Sequence, residues 1–263
     1  MTVKDKILQG RTYLGIELGS TRIKAVLIDD SFSVIASGSK QWENRFENGC
    51  WTYSLDDIHG GIQACYKDLA ENVKAQYGIY PETYGAMGIS AMMHGYMAFD
   101  KNDKLLVPFR TWRNTMTAQA AGELTKLLGF NIPQRWSIAH LYQAVLNKEA
   151  HVPYIAYINT LAGYVHKRLT DRFEVGVGEA SGIFPVESIG YQKEYLERTE
   201  KSLAEKGFDH KLKDILPAVR NAGEKGAVLT EEGAKFLDPE GRLKAGVPVC
   251  PPEGDAGTGM VAT

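Results

Sequence analysis

The chain has 263 residues, with 30 Lys and Arg against 32 Asp and Glu and a formal net charge of −2. That near balance gives no electrostatic footprint for nucleic acid or an anionic membrane, and the short basic run around Lys211 and Lys213 reads as a solvated helix face. At 44% hydrophobic and 24% charged residues, the composition is that of a folded globular protein. Cys50, Cys65 and Cys250 are odd in number and lack C-x-x-C spacing, which argues against a disulfide framework or structural zinc.

In chain order, the N-terminal residues are charged and contain no apolar core, so no secretory signal is expected. Residues 13–17 and 23–28 are β-rich runs joined by Leu18-Gly19-Ser20-Thr21-Arg22, which predicts a hairpin, and 34–39 predicts a third strand of the same meander. Ser54 offers an N-cap, and Ile58, Ile62, Cys65, Leu69 and Val73 recur at helical spacing until Gly78 and Pro81. Residues 84–90 predict a buried strand running into Met92-Met93-His94-Gly95. The apolar stretch 84–99 is too short to span a bilayer, and a soluble cytoplasmic protein is expected. Residues 99–105 predict a turn between short strands.

Further helices are predicted over 115–128, 137–150, 160–169 and 191–206, and a strand over 154–158. The last segment enters the glycine-rich turn Gly254-Asp255-Ala256-Gly257-Thr258-Gly259. Mixed strands and helices without repeats or long linkers predict an α/β domain.

Four turns carry residues suited to chemistry. Gly19, Ser20 and Thr21 can present N–H groups and hydroxyls to a phosphate, although the spacing is neither a P-loop nor a dinucleotide fingerprint. Taken alone it is also the connection of a plain hairpin. Asp255, flanked by glycines, can accept a proton from a hydroxyl, but an Asp-Gly pair is equally an Asx-turn. His94 and its methionines can be ligand contacts or core filler. Trp112, in Arg110-Thr-Trp-Arg-Asn114, can stack on a sugar face or cap the core.

Together and in this order, these turns resemble the FGGY carbohydrate kinases, within the sugar kinase, actin and chaperone ATPase superfamily. The resemblance runs from about Tyr13 to Thr263 and implies a ribonuclease H-like (actin-like ATPase/sugar kinase) α/β domain with a mixed sheet and flanking helices. It implies that residues 1–253 are an N-terminal sugar-binding domain and 254–263 the start of an ATP-binding one, with the rest of a protein about twice as long to follow. Gly19, Ser20, Thr21 and Lys24 are then the ATP-phosphate contacts and Glu17 the Mg²⁺ position. Met93, His94, Trp112, Asn114 and Asp255 form the sugar site, with Asp255 as catalytic base. Gly178-Glu179-Ala180-Ser181-Gly182 resembles a further turn of the family, with Glu179 at a commonly acidic position.

Two departures stand out. Glu17 replaces the family's usual Asp, which moves the carboxylate by one methylene. Pro251-Pro252-Glu253 precedes Gly254-Asp255 where relatives carry glycines. The implied activity is ATP-dependent phosphorylation of a ketose or related polyol, xylulose being preferred from the Met-His-Gly turn. The partners are sugar and ATP, without nucleic acid or membrane, and a homodimer is left open. Alternatives at this point are a non-sugar ATPase of the same superfamily and a sugar-binding module without catalysis.

Overall fold

The computed structural model describes residues 1–188, 190–224 and 226–262, of which 261 and 262 are described by backbone alone. It opens with a short helix that the sequence reading omitted, α1 (Val3–Leu8). A reciprocal cap starts it: the Asp5 N–H donates to the Thr2 hydroxyl, and the Thr2 N–H donates to the Asp5 carboxylate.

The predicted meander follows as β1 (Thr12–Leu18), β2 (Arg22–Asp29) and β3 (Val34–Gln41), all antiparallel. Leu14, Ile16 and Leu18 lie opposite Leu27, Ala25 and Ile23, so the register buries both sets on one face. A second hairpin, β4 (Arg45–Glu47) with β5 (Cys50–Thr52), closes on Asn48-Gly49, both at positive φ.

Helix α2 (Leu55–Tyr77) begins where expected. The Asp57 N–H donates to the Ser54 hydroxyl, and Gly78 ends the helix in the left-handed region. Its stripe Ile58, Ile62, Cys65, Leu69 and Val73 is fully buried in the core shared with the sheet. β6 (Ala86–Ala91) lies parallel to β1.

β7 (Met97–Phe99) and β8 (Tyr157–Asn159) pair across α3 (Ala118–Leu128) and α4 (Ser137–Leu146). The helix predicted over 115–128 starts only at Ala118, after Thr117 at φ −115 and ψ 25, whose hydroxyl donates to Gln134 O rather than accepting from the first turn. The helix predicted over 137–150 stops at Leu146, and Lys148 then turns to positive φ. Val152–Tyr154 forms a 3₁₀ turn around Pro153, so the predicted strand shifts towards Asn159.

The remainder comprises α5 (Leu161–Thr170), β9 (Glu174–Gly176), α6 (Val177–Ala180), β10 (Val186–Glu187), β11 (Gly190–Tyr191), α7 (Lys193–Ala204) and α8 (Leu212–Ile215). After these come β12 (Ala218–Arg220), β13 (Ala227–Val228), α9 (Glu231–Leu237), β14 (Pro248–Val249), β15 (Glu253–Gly254) and α10 (Asp255–Ala262).

The main sheet has the order β13-β14-β6-β1-β2-β3, with β15 also on β6. β14 and β15 run parallel to β6. One core packs the sheet on α2, α5 and α9, and a second gathers residues of α3, α4, α7 and α8. This is the expected mixed sheet with flanking helices.

The glycine-rich segment read as a turn ends β15 at Gly254 and is helical from Asp255, the first residue of α10. A carboxylate at that end is favoured by the helix dipole. The expected domain boundary after residue 253 falls inside β15, which carries Glu253 and Gly254 into the same sheet. Thr263 lies outside the described residues. No described helix is long and apolar enough to cross a membrane.

β3 and α2 meet at Gly38 without room for a side chain: a methyl there would sit 2.5 Å from Cys65 O and 2.8 Å from Leu69 Cβ. Gly38→Ala is expected to cost ~1–3 kcal/mol, measured as a lower urea midpoint at unchanged slope.

Candidate active site

Three loops meet at one edge of the sheet because three strands end there together. Leu18 of β1 and Gly254 of β15 both pair with Ala91 of β6, all running parallel. The chain therefore leaves for Gly19-Thr21, for Met92-Gly95 and for Asp255 from neighbouring points. Carboxyl ends of parallel strands are the usual place for a ligand crevice.

The β1–β2 turn is held from behind. Trp42 Nε1 donates to Gly19 O at 2.7 Å, the Tyr53 hydroxyl to Ser20 O at 2.5 Å and Trp42 N to Thr21 O at 3.3 Å. The two rings stack at 4.2 Å. With three successive carbonyls tied inward, the hydroxyls of Ser20 and Thr21 remain on the open side. A cavity of about 430 Å³ lies there, lined by Glu17, Gly19, Ser20, Thr21, Arg22, Lys24, Gln41 and Asp255. Lys24 Nζ stands 4.0 Å from Glu17 Oε2.

Asp255 faces this turn from the start of α10. Its Oδ1 accepts from Met93 N at 3.1 Å and from Ala256 N at 3.0 Å. His94 follows in the left-handed region at φ 68, with Gly95 at φ 89. Two such residues in a row cost ~1–3 kcal/mol for the non-glycine member. The turn is braced by Gly95 N donating to Arg135 O and by the Ser137 hydroxyl donating to Gly95 O at 2.6 Å. Burial lowers the pKa of His94, an effect partly offset by its 3.4 Å contact with Gly182 O, so the ring is neutral at pH 7.

Trp112 donates its indole N–H to the Ser20 hydroxyl at 3.3 Å. It joins Ser20, Thr21, Trp42, Glu43, Asn44 and Arg113 around a neighbouring hollow of about 320 Å³. Asn114 is 3% exposed and is spent elsewhere: it accepts from Trp51 N at 2.9 Å and donates to Trp51 O at 2.8 Å and Thr111 O at 3.0 Å.

Beneath Asp255, Glu253 clamps the first turn of α6. Its carboxylate accepts from Glu179 N at 2.8 Å and Gly178 N at 3.4 Å, while Gly176 N donates to Pro252 O. Gly176 and Gly178 have no room for a side chain because the Glu253 carboxyl fills it. Glu179 is fully buried, and neither carboxyl oxygen has a partner of good hydrogen-bond geometry, although the Thr160 hydroxyl lies close enough to act on it. Burial pushes its pKa up to about 8, against the pull of the Thr160 hydroxyl and with the Glu253 and Asp255 charges adding to the rise. The Glu253 pKa is raised by burial too, against the pull of those amides.

A family model described as the FGGY family of carbohydrate kinases, N-terminal domain, matches residues 12–262. The chain belongs to the FGGY family of carbohydrate kinases. It is 23% identical over 124 residues to a xylulose kinase of Lactococcus lactis, covering 44% of this chain and 23% of that protein. The crystal structure of xylulose kinase from Rhodospirillum rubrum superposes with a TM-score of 0.75 at 18% identity, covering 96% of this chain and 50% of that one. Gluconate kinase from Lactobacillus acidophilus gives 0.70 at 18% identity, over 93% and 48%. The fold is thus that of the FGGY kinases, and the chain spans about half the length of these solved relatives.

Of the residues singled out on FGGY grounds, Glu17, Gly19, Ser20, Thr21, Lys24 and Asp255 share one cavity. Met93 and Trp112 touch its walls through Asp255 and Ser20, and His94 stands one residue behind, against Gly182. Asn114 is the exception: its amide is committed to Trp51 and Thr111, so it clamps the β5 backbone and does not line the hollow. The sequence assigned no role to Trp42, Tyr53 or Glu253. Their parts depend on which carbonyl or amide each reaches, and only Glu253 carried a signal, as the departure before Asp255.

Among the described residues, no three His, Cys, Asp or Glu side chains gather as a metal cage. A Mg²⁺ ion that keeps several waters asks for less, namely one or two carboxylates plus substrate phosphates. Glu17 beside the Ser20 and Thr21 hydroxyls fits that requirement.

Glu179 makes stability depend on pH. Unfolded, its carboxyl loses its proton near 4.5; folded, it keeps it to about 8. Between those values the folded state binds the extra proton, so stability falls as pH rises. Glu179→Gln does not titrate. The melting temperature of the variant relative to the parent is expected to climb from pH 5 to pH 8 and then level off. A constant difference across that range would show that the carboxyl is ionised throughout.

Proposed function

We propose that this chain is the sugar-binding half of an ATP-dependent kinase that phosphorylates a hydroxyl of a ketose such as xylulose, or of a related polyol. The observation that carries the reading is the single cavity between Asp255 and the Ser20-Thr21 turn. It sets a candidate base opposite a candidate phosphate loop. The FGGY family match and the xylulose kinase relatives favour a sugar as the acceptor.

In this reading residues 1–253 hold the sugar and 254–263 lead into an ATP-binding half. Trp112 covers a C–H face of the sugar, while Met93 and the neutral His94 line its other side. The acceptor hydroxyl lies within reach of Asp255, which takes its proton as the oxygen forms a bond to the γ-phosphorus. The bond from that phosphorus to the departing ADP oxygen breaks in line. Ser20, Thr21 and Lys24 donate to the phosphate oxygens as charge moves onto the leaving group. Mg²⁺, when bound through Glu17, adds neutralisation of that charge. Positioning does most of the work, and base catalysis contributes ~10²–10⁴-fold.

Asp255→Ala, in the protein joined to its ATP-binding half, is expected to lower kcat by ~10²–10⁴-fold. Sugar affinity, measured by calorimetry, should stay within about tenfold, or ~1.4 kcal/mol. Turnover retained at the parental level would mean that another group is the base.

Residues 1–263 alone are expected to gain thermal stability with sugar yet form no sugar phosphate. Formation of sugar phosphate from ATP by this segment would remove the assignment of adenine binding to the other half.

A further inference from the structure

We propose that Glu179 is a positioning residue for Asp255: its buried carboxyl, lodged under the Gly254 backbone, sets how Asp255 sits against the Met93-His94 turn. The proposal rests on the reading of Asp255 as the base and deepens it.

The packing carries the argument. A methyl placed on Gly254 would overlap Met93 Cγ and stand 2.6 Å from Glu179 Oε2. Gly254 is therefore seated directly on those two side chains, one residue before Asp255. The same turn of chain reaches the other side of the site: a methyl on Gly182 would come 2.5 Å from His94 Nδ1 and 3.3 Å from Met93 Cε. The segment from Gly178 to Gly182 thus underlies both the base and the expected sugar-contacting pair.

The groups around Glu179 are all acidic or neutral. Glu253 faces it from β15, Asp255 from α10, the Thr160 hydroxyl from the cap of α5 and Tyr191 from β11. The Tyr191 hydroxyl is itself buried without a partner, and no ion pair reaches Glu179 among the described residues. A carboxyl so enclosed is tolerable only while it keeps its proton. Ionised, it would set a third negative charge beside Glu253 and Asp255. The hydrogen bond from Met93 N to Asp255 Oδ1, at 3.1 Å, is what then holds the Asp255 side chain against the 92–95 turn. A proton on Glu179 is accordingly a condition for the seat of Asp255, and its loss loosens the site without unfolding it.

Two measurements test this. The first follows the ¹³C carboxyl resonance of Asp255 in this chain as pH is raised. An inflection near pH 8, to which burial pushes the Glu179 carboxyl, is expected in the parent and not in Glu179→Gln. The second measures kcat/KM against pH for the protein joined to its ATP-binding half. The parent should fall about tenfold above pH 8, while Glu179→Gln should hold within about threefold of its neutral value.

A plug without a positioning role would shift melting temperature and leave both profiles alike in parent and variant, which would overturn the proposal. If Glu179→Gln fails to fold, the parent resonance decides alone, and absence of the inflection near pH 8 overturns the proposal. If no sugar is phosphorylated by any form, the kinase reading falls, while the resonance still reports on Glu179.

Discussion

The parallel pairing of β6 with β1 on one side and β15 on the other is the constraint from which the site follows. Backbone hydrogen bonds set Leu18, Ala91 and Gly254 side by side. Residues separated by most of the chain thereby leave the sheet at a common edge. Without that register, Asp255 would have no relation to the Ser20-Thr21 turn, and neither residue alone has an unusual environment. The helices serve this arrangement indirectly. α2 buries the face of β1 to β3 that fixes their register, and Gly38 lets it come close enough to do so.

The loops are positioned by polar contacts more than by apolar packing. Trp42 and Tyr53 use their polar atoms on turn carbonyls and their rings on each other, so one pair supplies both burial and direction. Glu253 does the same for α6: its carboxylate accepts from the first turn of that helix, and two glycines across from it leave the space its carboxyl occupies. A bulky acidic side chain in one strand is thus matched by small residues in the segment it meets. The left-handed backbone at His94 is the cost of turning the chain sharply at the end of β6, and neighbours on both sides hold it there.

Elements with strong periodicity were legible in the sequence. The β1–β2 hairpin, the α2 stripe with its Ser54 cap, and the glycine stop after α3 all appear where spacing puts them. The Asn48-Gly49 hairpin and the Thr2–Asp5 capping box carried equally clear local signals but went unread, since each serves an element of only a few residues. β9 and β12 could not be read, because three-residue strands owe their existence to a partner far along the chain. In the site, residue types were readable and commitments were not. Asn114 has the right chemistry for a sugar contact, yet its amide is used up by Trp51 and Thr111. For Glu179 a resemblance marked the position, and only coordinates reveal that its carboxyl is sealed off.

The indole of Trp112 donates to Ser20, and this fixes more than a distance. A hydroxyl whose oxygen already receives one hydrogen bond turns its own proton outward and gives it up more readily. The tryptophan thereby sets the polarity of the group at the tip of the turn. The two neighbouring hollows thus share the Ser20 hydroxyl, which lines both.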